Sequence, residues 1–163
     1  MKKKIIFIVI IIIIIYLLSL ILNSTHSSLV NNNQDIYKTI CGEYKKGQIN
    51  ISNKILSVNI ADDECKMTLG LSGNEDLNND GMLFIFEKEG NYGFWMKDMN
   101  FSLDILWIDD NFQIIGIEKN LLPSTYPKSY GAKYLARYVL ELSSGYCEKN
   151  NIKVGDKIIF SKN

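Results

Sequence analysis

Residues 94–110, FWMKDMNFSLDILWIDD, decide the reading of the fold: Lys97 in front and Asp104 behind sit among tryptophans, methionines and branched aliphatic residues. From Phe101 to Ile108 the pattern alternates. Phe101, Leu103, Ile105 and Trp107 project to one side, and Ser102, Asp104, Leu106 and Ile108 to the other. Both sides become apolar toward the end, as in a central strand covered on both faces. Asp104 is therefore expected inside the core, where an unpaired charge is costly. If residues 92–97 pair with residues 102–109 as a hairpin turning near Met99 and Asn100, one register sets Lys97 opposite Asp104 as an ion pair that fixes the strands.

Working outward, the same period recurs. Strands are expected at GMLFIFE (81–87), FQIIGIEK (112–119), ARYVLELS (136–143) and KIIF (157–160), separated by turn residues such as Asp109, Asp110 and Asn111. Residues 48–61 read as a hairpin around Ser52, Asn53 and Lys54. DDECKMTLGLSG (62–73) places three acids in the first turn of a helix and Gly73 near its end. A short helix is expected around 145–151. The expected fold is α+β: a compact, mostly antiparallel β-sheet or barrel-like domain with two short helices.

The N-terminus is of another kind. Lys2, Lys3 and Lys4 precede the apolar run Ile5 to Leu22, broken only by Tyr16 and Ser19. As a helix this run nearly spans the roughly 30 Å hydrocarbon layer, and the lysines would hold its start in the cytoplasm. The expected organisation is a transmembrane anchor or uncleaved signal over 1–22, a polar stalk over 23–34 and an extracytoplasmic domain over 35–163. The chain has eighteen basic and eighteen acidic residues; without the three N-terminal lysines the balance is fifteen to eighteen, which argues against nucleic acid as a partner. Cys41, Cys65 and Cys147 allow one disulfide in three pairings.

GMLFIF (81–86), FWMKDMNFSLDILWID (94–109), ARYVLEL (136–142) and IKVGDKI (152–158), in that order, resemble the domain-of-unknown-function family 192, an uncharacterised family. The resemblance runs from about Ile51 to Phe160. It implies a compact β-rich domain, often carried behind a signal or anchor segment in prokaryotes, and it implies no activity. KMTLGLSG (66–73) departs from the family pattern, which carries an arginine before Gly-Leu and another soon after.

The only histidine, His26, lies in the stalk, which removes Ser-His-Asp, Cys-His and histidine-zinc chemistry from the folded domain. Lys97, Asp104, Arg137 and Glu141 remain as candidates for an acid–base or polar ligand site, against a structural ion-pair network. Residues 76–87 match a calcium-loop pattern through Asp76, Asn78, Asp80, Gly81 and Glu87, but the strand expected from Met82 would carry Glu87 away; only a weak site on Asp76, Asn78 and Asp80 is retained. Tyr126, Tyr130 and Tyr134 lie in the long segment 120–134 with Ser124, where Pro127 and Gly131 argue against a continuous helix. With Trp95 this loop offers stacking faces.

The expected function is therefore a membrane-tethered binding or accessory module of the cell envelope. Its small polar or glycan ligand would be bound by Trp95, Lys97, Asp104, Ser124, Tyr126, Tyr130 and Arg137. The alternatives are a carboxylate-dependent hydrolase or lyase using Asp104 and Glu141, and a protein-interaction subunit. No cofactor is called for.

Overall fold

The computed structural model describes residues 11–22, 24–25, 39–77 and 81–162. The chain divides into two compact units, residues 1–39 and 40–163. In the first, residues 11–22 are helical (α1), as are 24 and 25, with every side chain exposed. Among the described residues no helix is long and apolar enough to cross a membrane. The start of the expected anchor, residues 1–10, and most of the expected stalk lie outside the described residues.

The second unit is a mostly β domain. Its strands are β1 (Lys45–Ile51), β2 (Lys54–Ala61), β3 (Gly81–Asn91), β4 (Phe94–Trp95), β5 (Leu103–Ile108), β6 (Ile114–Leu121), β7 (Ser129–Tyr130), β8 (Leu135–Ser143) and β9 (Ile158–Lys162). Helix α2 (Glu64–Leu69) lies between β2 and β3, and α3 (Tyr146–Lys149) precedes β9. An open seven-stranded sheet runs β6-β5-β8-β3-β2-β1-β9, and β4 pairs with β7 in a separate ribbon. The outermost strands of the large sheet approach each other where Gln113 bridges Lys157.

Local sequence explains most joints. Ser52 and Asn53 both adopt positive φ, 48° and 60°, closing β1 onto β2 in a two-residue turn whose twist suits a hairpin. β2 and β3 are parallel, so a crossover must join them; it carries α2. Asp63 caps that helix by accepting from the Lys66 N–H at 2.9 Å. At the β5–β6 turn, Asp109 Oδ1 accepts from the N–H groups of Asn111 and Gln113 at 2.9 and 2.8 Å.

Strand β5 is buried along its whole length and lies between β6 and β8. Leu106 and Ile108 join a core with Val58, Leu83, Leu140 and Leu142 on one face. Leu103, Ile105 and Trp107 join the opposite core with Met82, Phe84 and Val139. The alternation expected for residues 101–108 thus holds, with apolar cover on both faces.

The hairpin expected between residues 92–97 and β5 does not form. Phe94 pairs with Tyr130 and Trp95 with Ser129, while β5 takes β6 and β8 as neighbours. The physical reason lies in the segment between: Lys97 and Asp98 form a turn, Asp98 takes a positive φ of 55°, and the chain swings onto the face of the sheet. Segment 120–134 forms no continuous helix, in keeping with Pro127 and Gly131; it makes a 3-10 turn at Pro123–Thr125, a cis Tyr126–Pro127 bond and strand β7.

Candidate functional site

Among the described residues two carboxyl side chains are buried in this domain, Asp104 and Glu141, at 0 and 5 % exposure. They lie on opposite faces of the sheet. Asp104 stands opposite Leu142 in the β5–β8 register and Glu141 opposite Ile105 and Met82, so each belongs with a different core. The expected meeting of Asp104, Glu141, Lys97 and Arg137 at one place does not occur. The period of 2 that predicts each strand's faces says nothing about which faces of different strands coincide until the register is set.

Asp104 is a structural acceptor. Its Oδ1 receives the N–H groups of Asn120 at 2.8 Å and Gly145 at 3.2 Å, and its Oδ2 receives the N–H of Cys147 at 2.9 Å. It thereby holds Asn120, at φ 54°, and the first turn of α3. Burial, together with the neighbouring Asp104 charge and hydrogen bond, pushes the Cys147 thiol up to about 12, so it stays protonated and inert. Lys97, the expected partner of Asp104, is exposed, with its ammonium 5.8 Å from the centre of the Trp95 ring.

Glu141 has the opposite environment. It lies at a cavity of about 260 Å³ whose walls include Phe84, Phe86, Tyr92, Phe94 and Trp95. Its Oε2 is buried with no hydrogen-bond partner. Burial pushes the carboxyl up to about 8, so at neutral pH it is protonated. A buried polar atom without a partner costs free energy. Its persistence at a cavity wall marks the place where an incoming group would find a vacant hydrogen-bonding position.

The aromatic walls are built by long-range contacts. Trp107, fully buried, donates its indole N–H to the Tyr92 carbonyl at 2.9 Å and so places the two-residue link that precedes β4. Phe94 then stands edge-on to Phe84, with centroids 4.8 Å apart, and Tyr92 stacks on Phe86 at 3.5 Å. The β3–β8 register shift between Ile85 and Gly90 lies beside this stacked pair. The lip of the cavity comes from the end of α2. The Tyr44 hydroxyl, which donates to the Gly70 carbonyl at 3.1 Å, ties that end down, while the Cys41–Cys65 disulfide, with Cα atoms 5.5 Å apart, fastens the start of the helix. Burial and the charges of Asp63 and Glu141 push the Tyr44 phenol up to about 12, keeping it a donor.

Of the expected ligand residues, Trp95 lines the cavity. Tyr126 stands edge-on to Trp95, with centroids 5.7 Å apart, and Lys97 borders the same ring. Tyr130 is buried under the Lys128 ammonium, 4.5 Å from its ring centre, and Ser124 is exposed in the 3-10 turn. Arg137 pairs instead with Asp110, its Nε 3.6 Å from Oδ1. Asp76 is in a bend, while Asn78 and Asp80 lie outside the described residues; Gly81 begins β3 and Glu87 lies along it. Among the described residues no cluster of His, Cys, Asp and Glu suited to a metal is found.

Residues 47–160 match the family model DUF192, described as uncharacterized ACR. The chain belongs to the DUF192 family. Two solved structures share the fold of this DUF192 chain. One is a Sinorhizobium meliloti 1021 protein titled "putative transcription regulator", with 27% identity and a TM-score of 0.67 over 72% of this chain and 95% of that one. The other, from Novosphingobium aromaticivorans DSM 12444, is a protein of unknown function, with 23% identity and a TM-score of 0.62 over 70% of this chain and 83% of that one. No curated protein matches the chain.

Proposed function

We propose that this DUF192 domain is a small-ligand-binding module, with its site in the aromatic cavity at Glu141. The observation that carries the reading is the buried Oε2 of Glu141, without a partner, at the wall of a cavity large enough for a small molecule. The proposal moves the expected site. Trp95 stays in it, Glu141, expected as an acid–base candidate, joins it, and Asp104 leaves it, because the Asp104 hydrogen bonds to backbone N–H groups are already made. We further propose that residues 5–22 tether the domain to a membrane with the domain outside. The triple lysine before the apolar run and the Cys41–Cys65 disulfide, a bond favoured in oxidising compartments, support that placement. Protease accessibility of the domain in intact cells tests it, and protection behind an unbroken membrane would refute it.

The test of the site is thermal melting of the full chain against envelope glycans, peptides, nucleotides and small amines. A ligand at a hundred times its dissociation constant adds about 2.7 kcal/mol to stability. The shift is expected to vanish in Glu141→Gln and shrink in Trp95→Ala, and to persist in Lys54→Ala, on the β1–β2 turn. A panel without any shift refutes the site.

A second reading rests on the position of the Glu141 titration. A carboxyl pushed up to about 8 can give and retake a proton near neutrality, as a general acid–base needs. In this form the chemistry uses one carboxyl, not the Asp104–Glu141 pair. Turnover of a bound compound, abolished in Glu141→Gln with binding retained, would select it.

A further inference from the structure

Resting on the Glu141 cavity as the binding site, we propose that its ligand is an organic cation: an ammonium group on a small apolar or aromatic body, paired with the Glu141 carboxylate. Three observations converge on this class. Among the described residues Glu141 is the single acidic or basic side chain of the Asp, Glu, Lys, Arg and His types lining the cavity, so no cationic side chain is there to receive an anion. The walls present the faces and edges of five aromatic rings and the thioethers of Met67 and Met99, and aromatic faces attract cations through the ring quadrupole. The protein's own Lys97 ammonium already stands 5.8 Å from the centre of Trp95 at the rim.

The approach has the same sign. An adjoining depression shares Met67, Thr68, Phe86 and Tyr92 with the cavity and is lined by Asp62, Asp63, Glu64 and Glu87 against one base, Lys88. Asp62 is engaged by Lys45 at 2.8 Å and Lys162 at 3.7 Å, and Asp63 by Lys66 at 2.6 Å, which leaves the exposed Glu64 and Glu87 against Lys88 to attract a cation. An anion would meet acidic side chains outside and a carboxyl within.

Binding then carries a proton balance. The ammonium keeps its protons; the Glu141 carboxyl loses one to solvent and becomes the carboxylate that accepts from the ammonium. The groups around Glu141 leave that titration its own: β3 and β5 set Met82 and Ile105 beside it, the end of α2 contributes uncharged residues from Met67 to Ser72, and segment 92–95 contributes rings. Tyr44, the titratable side chain that feels the Glu141 charge, is pushed up to about 12 and stays neutral throughout. With the Glu141 carboxyl pushed up to about 8, affinity for a permanently charged ammonium rises about tenfold per pH unit below pH 8 and levels above it.

Titration calorimetry of the full chain with benzylamine, benzyl alcohol and benzoate tests the inference on one molecular body. Benzylamine is expected to bind about tenfold more tightly at pH 7 than at pH 6, releasing about one proton, with benzyl alcohol weaker at pH 8 and indifferent to pH. Glu141→Gln should remove the pH dependence. Trp95→Leu, at a position 53 % exposed and so safe for folding, should weaken benzylamine several-fold without removing it. Benzyl alcohol or benzoate binding as tightly as benzylamine at pH 8 overturns the cation and leaves the cavity as a site. Failure of all three overturns the cation too, and the melting panel then decides the cavity separately.

Discussion

Asp104 and Glu141 are two carboxyls buried to nearly the same degree on neighbouring strands, and their environments are opposite. Asp104 accepts three backbone N–H groups and holds a β-strand end and a helix start; Glu141 keeps an oxygen without a partner at the wall of an aromatic cavity. Burial alone therefore does not mark a functional acid. A carboxylate whose hydrogen-bonding positions are filled by the fold has nothing left to offer a ligand, whereas one with a vacant position costs stability that a ligand can restore.

The largest effect that would break this contrast is on the Asp104 side. Asp104→Ala leaves three backbone donors buried without an acceptor, and chemical denaturation is expected to show a loss of about 3–5 kcal/mol. A loss below 1 kcal/mol would mean that water replaces the carboxylate and that Asp104 is not the pin described above. Ligand binding in the cavity should survive a milder Asp104→Asn change wherever the protein folds, because the cavity is on the other face.

The next effect tests Glu141 through pH. Its folded pKa of about 8 lies above the ordinary glutamate value, so between about 4.5 and 8 the folded state holds a proton that the unfolded state has released. Stability therefore falls as pH rises across that window, by up to about 1.4 kcal/mol per unit. In Glu141→Gln the fall should flatten. A wild-type curve that rises over the same window, with the variant following it, would show that Glu141 is ionised and satisfied in the folded protein.

The smallest effect concerns the pairing that the primary structure suggested. Lys97 is exposed and touches Trp95 rather than Asp104, so Lys97→Ala should change stability by less than about 0.5 kcal/mol. A loss comparable with that of Asp104→Ala would restore the ion pair.

Much of the fold was legible in order along the chain. Alternation in Leu103–Ile108 predicts the buried central strand, the Ser52-Asn53 turn predicts the first hairpin, and the acid-led segment at Asp62 predicts α2. These are local properties, set by strand period, turn chemistry and capping. The partner of residues 92–97 was not legible. Phe94 and Trp95 pair with Tyr130 and Ser129, across more than thirty residues, and no local signal distinguishes that pairing from the nearer one with β5.

The site divides in the same way. By itself the sequence determined that Asp104 is buried, that Glu141 alternates against Leu140 and Leu142, that histidine chemistry is missing from the folded domain, and that the chain resembles the DUF192 family. Only the tertiary structure decided that the two carboxyls face apart, that Asp104 meets backbone donors rather than Lys97, and that Phe84, Phe86, Tyr92 and Phe94 line one cavity with Glu141. The physical reason is that periodicity assigns each residue a side of its own strand. Which sides become neighbours depends on strand order and register, and these are set by the packing of the whole sheet.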